Sequence, residues 1–119
     1  MDIRLMRSHS AVREDQGRLA LMRGPLVYCL EEIDNGANLH NICLDPSREI
    51  TAEVSDELSE GMVILKTTGR RYTEDAPNQS LYYTFTQPAY TETALRFVPY
   101  YAWNNRGEGE MQVWTRYTL

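Results

Sequence analysis

The amino-acid sequence predicts a single all-β domain over residues 1–119, an antiparallel β-sandwich of the jelly-roll type. Three observations favour this class. Apolar residues recur with a period of two almost throughout, no stretch of helical length keeps the three-four spacing of a helix, and turn-forming residues interrupt the chain at short intervals. A chain of 119 residues has room for one domain of ordinary size.

Nine short strands are expected in order along the chain. They span residues 2–7, 18–22, 26–31, 39–44, 49–54, 62–67, 80–86, 93–98 and 110–117. Tyr, Thr, Val and Ile are enriched in these runs, as is typical of half-buried strands. Gly24-Pro25 indicates a sharp turn or bulge that redirects the chain between sheets. We expect the first and last strands to lie near each other.

Two segments depart from this regular spacing. Residues 47–60 contain helix-favouring Glu, Ala and Leu, yet Ile50, Ala52 and Val54 alternate better than they follow a helical period, so the strand interpretation is kept. Residues 69–79 are polar and lack an apolar period. This second segment is predicted to be a long surface loop and the most mobile part of the chain.

The charge balance excludes several classes of partner. Twelve Lys and Arg against seventeen Asp and Glu give a net charge of -5, and Lys66 is the only lysine. Such a surface repels phosphate groups, so we expect neither a nucleic-acid nor a membrane partner. The longest apolar run, residues 26–30, is far short of the roughly 18 residues of a membrane helix. Without a signal peptide or a disulfide framework, a cytoplasmic location is favoured.

Cys29 and Cys43 are predicted to be reduced thiols. Cys29 lies inside the apolar run, where a free cysteine behaves as a small buried hydrophobe. The alternative is a zinc site assembled from the available side chains, His9, Cys29, His40 and Cys43. The chain has no Cys-x-x-Cys or His-x-x-x-His pair, so no metal ligand and no cofactor are assigned to this domain.

Two longer strings are more specific than these patterns. They are residues 17–31, GRLALMRGPLVYCLE, and residues 98–114, VPYYAWNNRGEGEMQVW. With Asp34-Asn35 shortly after the first string and the opening of the chain from Met1 to Leu5, they resemble the C-terminal region of glycoside hydrolase family 127, the β-L-arabinofuranosidases. The likeness spans nearly the whole chain.

The resemblance implies a role without catalysis. In that family a separate helical α/α barrel cleaves the glycosidic bond, with a cysteine nucleophile on a zinc ion and glutamates beside it, while the C-terminal part is a β-sandwich. Neither Cys29 nor Cys43 lies in a Cys-Cys motif like the catalytic one, so no catalytic or metal residue is carried over. The implied protein is an accessory domain that braces the helical barrel, and these residues would be either a domain excised from a longer glycoside hydrolase or a detached relative. The whole enzyme would hydrolyse arabinofuranosides from plant glycans.

A carbohydrate-binding module is the alternative function. The densest aromatic cluster contains Tyr100, Tyr101, Trp103 and Trp114, and flat rings suit the apolar faces of sugars. The polar residues that follow, Asn104, Asn105 and Arg106, would bond the hydroxyls of arabinose-containing plant glycans. Aromatic residues also supply core area and interface anchors, so buried rings or rings in a broad apolar patch would favour an interface, and exposed coplanar rings would favour sugar binding.

A third hypothesis makes the domain a hydrolase by itself. Glu108 and Glu110 are two residues apart, which on a strand places them roughly 6–7 Å apart on one face. Glycosidase carboxylates stand about 5–10 Å apart. However, Gly107 and Gly109 indicate a hairpin tip, where acidic side chains are solvated and nothing raises the pKa of an acid partner. No catalytic residue is assigned.

Arg18 and Arg23 have acidic neighbours in sequence, Asp15 and Glu31. Their planar guanidinium groups suit a clamp on a carboxylate of another domain, and exposed ion pairs suit them equally well.

Overall fold

A computed structural model describes residues 2–56, 61–73, 82, 84–85, 87–103 and 107–119. Its strands are β1 (Ile3–Met6), β2 (Arg18–Arg23), β3 (Leu26–Glu31), β4 (Ile42–Leu44), β5 (Thr51–Ser55), β6 (Met62–Tyr72), β7 (Tyr90–Pro99), β8 (Met111–Gln112) and β9 (Thr115–Arg116). A single-turn helix, α1 (Glu32–Asn35), and three short 3-10 turns connect them. The all-β prediction is confirmed. No helix among the described residues has the length and apolar content to cross a membrane.

The strands pair in the order β1-β2-β3-β7-β6-β4, with β5 on β6, β8 on β3 and β9 on β2. Every ladder between these strands is antiparallel. Both β1 and β9 pair with β2, β1 along residues 20–23 and β9 along residues 18–19, and among the described residues no ladder joins β1 to β9 directly. This strand order is compatible with a jelly roll, and the jelly-roll topology itself stays a prediction.

The centre of the sheet is buried on both faces. Tyr28 and Leu30 of β3 belong to a large apolar cluster, whereas Cys29 between them packs with Ile64 and Val98 in a second cluster. Successive side chains of a strand point to opposite faces. The uninterrupted apolar run of residues 26–30 is therefore explained by two-sided burial, which a strand with one solvent face would not need.

The turn between β2 and β3 is formed by Gly24-Pro25. Arg23 pairs with Leu26, so only two residues lie in the turn, and Gly24 has a φ of 58°. Glycine at this first central position is the pattern of a type II′ hairpin turn. The two strands pair over two residue pairs only, and from Tyr28 onward β3 pairs with β7. The predicted sharp turn is present, and the change of partner follows just after it.

The predicted loop over residues 69–79 is wrong at its beginning, because β6 continues to Tyr72. Residues 69–72 pair with 90–93 of β7. Side chains on this part of the hairpin contact one another across the two strands. The rings of Tyr72 and Tyr90 are 5.5 Å apart, and the guanidinium of Arg70 lies 4.3 Å from the centre of the Tyr90 ring. An apolar period is not needed where aromatic rings and a cation cover the exposed face. Residues 74–79 lie outside the described residues.

Three other strand boundaries differ from the prediction. Tyr82, Thr84 and Phe85 of the strand expected at 80–86 are not in a strand, and its other residues lie outside the described ones. The strand expected at 39–44 begins as a 3-10 turn over Leu39–Asn41. The strand expected at 110–117 is divided into β8 and β9, because β8 pairs with β3 and β9 with β2. The strand interpretation of residues 49–54 is confirmed by β5.

Candidate functional site

The aromatic turn, residues 100–103, directly follows β7. Pro99 ends the strand, Tyr100–Ala102 form a 3-10 turn, and the N–H of Trp103 donates to the carbonyl of Tyr100 at 3.0 Å. Ala102 is fully buried and fixes the turn to the body of the domain. The side chains of Tyr100, Tyr101 and Trp103 remain 45%, 63% and 42% exposed. The chain therefore presents three large rings from a short, anchored segment.

Two of these rings lie almost parallel. The ring centres of Tyr100 and Trp103 are 6.1 Å apart and their planes differ by 25°. The polar residues predicted to work with them, Asn104, Asn105 and Arg106, lie outside the described residues. Trp114, the fourth aromatic residue of the predicted cluster, is half-buried beside Val113, which packs against the second apolar cluster. The exposed part of the cluster thus consists of the aromatic turn.

Glu110 is engaged by the backbone. Its carboxylate accepts the N–H groups of Asn38 at 2.7 Å and of Leu39 at 3.1 Å, at the start of the 3-10 turn. Its own N–H donates to a carboxylate oxygen of Glu32 at 3.0 Å. The two backbone hydrogen bonds, from Asn38 first and Leu39 second, hold the pKa of Glu110 below its usual value.

This arrangement does not suit acid catalysis. A general acid must be protonated near neutral pH, which requires a raised pKa. Glu108 is exposed, and both glutamates precede β8 instead of lying on one strand. The assumed spacing along a strand therefore does not apply. The structure gives Glu110 the task of holding the loop before β4.

The Asp34-Asn35 pair fastens α1 to β7. The side-chain amide of Asn35 donates to the carbonyl of Arg96 at 3.0 Å, and its oxygen accepts the N–H of Arg96 at 2.9 Å. Asp34, with 3% of its side chain exposed, forms an ion pair with Arg96 at 2.7 Å. Because β3 pairs with β7 only at residues 97–99, the amide of Asn35 continues that ladder by one residue.

Sequence reasoning missed the arginines that complete this contact. Arg71 donates to the carbonyl of Ala37 at 2.8 Å and to that of Asn35 at 2.5 Å. Arg71 lay in a predicted loop, and Arg96 was simply one polar residue of a predicted strand. The Asp34-Asn35 string was the sequence signal that could have indicated this contact with β7, because a turn alone does not require both of these residues.

The two strings that resemble family 127 meet in the sheet. Residues 17–31 form the β2–β3 hairpin, and the second string begins at the end of β7. Cys29 pairs with Val98 and Glu31 pairs with Met111, so each end of the second string lies against β3. The strings are thus parts of one structural unit, although about 70 residues of sequence separate Cys29 from Val98.

A comparison with protein-family models decides the identity of this unit. The model described as the glycoside hydrolase family 127 C-terminal domain matches residues 3–116. The chain belongs to this family.

The family 127 C-terminal domain has characterised relatives in sequence and in structure. A non-reducing end β-L-arabinofuranosidase of Bifidobacterium longum subsp. longum is 38% identical over 120 residues, which cover 98% of this chain and 18% of that protein. The crystal structure of a GH127 β-L-arabinofuranosidase from Geobacillus stearothermophilus T6 matches with 42% identity and a TM-score of 0.91, over 99% of this chain and 18% of that one.

A second structure, described as a glycoside hydrolase, matches this chain with 31% identity and a TM-score of 0.86. That match covers 100% of this chain and 20% of the other. The chain therefore spans about a fifth of the length of these three relatives.

The two cysteines of this family 127 C-terminal domain are buried in separate places and do not form a disulfide. Cys29 packs in the second apolar cluster and Cys43 lies on β4, where burial raises the pKa of its thiol. Nδ1 of His9 accepts the N–H of Ala11 at 3.0 Å. Within the described part of the chain, no three His, Cys, Asp or Glu side chains lie close enough together to hold a metal ion.

Proposed function

We propose that this chain is a noncatalytic accessory domain that braces the helical catalytic barrel of a β-L-arabinofuranosidase-like enzyme. The observation that supports this role is the extent of the family match, which runs through nearly all of this chain but through about a fifth of each enzyme that resembles it. The enzyme that contains the domain would hydrolyse β-L-arabinofuranosides from plant glycans, with zinc held in its barrel.

The aromatic turn is the part of the surface best suited to contact the barrel. Its backbone is anchored by buried Ala102, so little backbone freedom is lost when a partner covers the turn. Tyr and Trp are the side chains most enriched among the residues that dominate binding energy at protein interfaces. We expect Tyr101 and Trp103 to become buried against the barrel.

The domain alone is expected to hydrolyse no arabinofuranoside. The best carboxylate pair in the sequence includes Glu110, whose oxygens are occupied by two backbone N–H groups and whose pKa is lowered. A retaining or inverting mechanism needs a protonated partner on the same sugar.

A domain exchange tests the bracing role. In the Geobacillus enzyme, the matching C-terminal segment would be replaced by this chain, and the product compared with the enzyme lacking that segment. We expect the exchanged enzyme to unfold at a clearly higher temperature than the truncated one and to hydrolyse an aryl β-L-arabinofuranoside. Equal unfolding temperatures and equal activities for the two proteins would contradict the proposal.

The contribution of the aromatic turn has a matched control. Tyr101→Ala and Trp103→Ala in the exchanged enzyme should lower the unfolding temperature of the barrel, whereas Val54→Ala should not. Val54 is also an exposed apolar residue, 65% accessible, but it lies on β5. If all three variants behave alike, the contact with the barrel lies elsewhere on the domain.

Carbohydrate binding at the aromatic turn is the second candidate. It is favoured by the near-parallel, partly exposed rings of Tyr100 and Trp103. Arabinose-containing oligosaccharides would be titrated into the 119-residue chain and followed by the indole and amide NMR signals. Saturable shifts of the Trp103 indole that Trp103→Ala abolishes would support this candidate, and a silent indole would reject it.

A further inference from the structure

Two arginines lie side by side on the surface of neighbouring strands. Arg18 of β2 and Arg116 of β9 are direct partners in an antiparallel ladder, so their side chains leave the same face. Like charges in this position destabilise a strand pair. The ion pairs found within the described ranges join Arg48 to Glu92, Lys66 to Glu53, and Arg96 to Asp34, and include neither of the two.

The two side chains line a hollow of about 360 Å³, which we call the arginine hollow. Among the described residues, its lining also includes His40 and Gln112, and none of these four side chains is a carboxylate. A guanidinium N–H of Arg116 donates a hydrogen bond to the backbone carbonyl of His40, which fixes the direction of the Arg116 side chain. The lining is thus rich in hydrogen-bond donors in a chain whose net charge is -5.

A larger hollow of about 550 Å³ adjoins it and shares Arg116. Its lining includes two tyrosines, Tyr72 and Tyr117, together with the polar residues Asn41 and Thr118. Cavities of about 300–1,000 Å³ with apolar rings and a few polar groups are typical sites for small ligands. A sugar ring offers apolar C–H faces and hydroxyl groups, which this lining matches.

We propose that these adjoining hollows bind a sugar that bears a carboxylate, a uronic acid residue. The carboxylate lies between Arg18 and Arg116 in the arginine hollow, and the sugar ring lies in the larger hollow. A guanidinium group binds a carboxylate through two parallel N–H donors, and an ionised pair of this kind is stronger than a neutral hydrogen bond. The ligand also relieves the repulsion between the two arginines.

This site is separate from the aromatic turn. The aromatic turn comprises residues 100–103, and neither hollow is lined by any of them. A neutral arabinose oligosaccharide titrated for the second candidate function would therefore shift the Trp103 indole without shifting the arginine signals. The two ideas succeed or fail independently.

The test is an NMR titration of the 119-residue chain with three probes, D-galacturonic acid, D-galactose and acetate. Galactose has the same ring arrangement without the carboxylate, and acetate has the carboxylate without the ring. We expect galacturonic acid to give saturable shifts of the side-chain N–H signals of Arg18 and Arg116, with galactose silent and acetate several-fold weaker. Equal affinities for acetate and galacturonic acid would overturn the proposal, since only an anion would then be recognised.

Two variants locate the site. Arg18→Gln and Arg116→Gln should each raise the Kd for galacturonic acid at least about tenfold, because each removes a charge-assisted contact. Arg48→Gln removes another exposed arginine, which lines neither hollow, and should leave the Kd unchanged. Circular dichroism would verify that each variant folds. If loss of the Arg116–His40 hydrogen bond unfolds Arg116→Gln, Arg18→Gln still tests the proposal. An unchanged Kd in Arg18→Gln, or no saturable shift in the parent chain, would overturn the proposal.

Discussion

Strands β3 and β5 differ in what surrounds them. Strand β3 pairs with β7 on one side and with β2 and β8 on the other, and its residues 28–31 are all buried. Strand β5 pairs only with β6 along its described ladder, and four of its five residues are exposed. The two strands have similar lengths, six residues in β3 and five in β5.

The difference shows where the stability of this domain resides. Burial of apolar area contributes about 25 cal/mol per Å², so strands buried on both faces contribute far more than an exposed edge. Strand β3 also joins the two strings by which the family was recognised in the sequence. Substitutions in the two regions can therefore distinguish the buried centre from the exposed edge.

The largest effect is expected from Leu30→Ala in β3. Leu30 is fully buried in the large apolar cluster, so the substitution leaves a cavity and should lower the free energy of unfolding by about 2–5 kcal/mol. Val54→Ala in β5 should change it by less than about 0.5 kcal/mol. Urea unfolding of both variants checks the contrast. Similar losses in the two variants would show that β5 is covered by a partner in solution.

The second effect concerns the contact between α1 and β7. Asn35→Ala removes the side-chain amide that bonds to the N–H and the carbonyl of Arg96. The loss should lower the free energy of unfolding by about 1–3 kcal/mol. Asn35→Asp retains an acceptor for the N–H of Arg96 and should cost less. Urea midpoints of the two variants provide the measurement. If Asn35→Asp is the more destabilised, repulsion from the nearby Asp34 and not the lost ladder contact controls this site.

Sequence reasoning located the centre of this fold better than its ends. The apolar run of residues 26–30 predicted β3 because two-sided burial leaves a continuous apolar string. Tyr72 was missed because its partner Tyr90 is close only in space. The break between β8 and β9 was missed for a related reason, since each part pairs with a different distant strand.

The candidate site could also be predicted only in part from the sequence. The rings of the aromatic turn were visible as a cluster in sequence, since they occupy residues 100–103. Arg18 and Arg116 become neighbours only through the β2–β9 ladder, so no spacing rule could have joined them. Glu110 was visible as an acidic residue, but its backbone partners Asn38 and Leu39 were not.

The third effect is a pH dependence of stability. Because backbone hydrogen bonds hold the pKa of Glu110 below its unfolded value of about 4.3, its ionised form stabilises the folded state above that pH. This contribution is lost as the pH falls through the lower folded pKa. We therefore expect the stability difference between the parent chain and Glu110→Gln to be constant near neutral pH and to shrink below about pH 4.3.

The matched control for Glu110 is Glu108→Gln. Glu108 is an exposed glutamate two residues earlier, so the same charge change is made outside the loop contact. Its substitution should leave the dependence of the urea midpoint on pH the same as in the parent chain. If both variants flatten the dependence equally, the effect comes from net charge and not from the hydrogen bonds to Asn38 and Leu39.

The smallest effect is expected at the exposed edge, in the ion pair between Glu53 of β5 and Lys66 of β6. Their charged atoms are 2.7 Å apart, and hydrogen bonding and charge from Lys66 lower the pKa of Glu53. Both side chains are about half exposed, so water and salt screen the attraction. A double-mutant cycle with Glu53→Gln and Lys66→Gln should show no coupling beyond error at physiological ionic strength. Measurable coupling that persists in 1 M salt would mean that this edge is shielded from water. Strands β3 and β5 would then differ in apolar burial but not in how far their surroundings exclude water from charges.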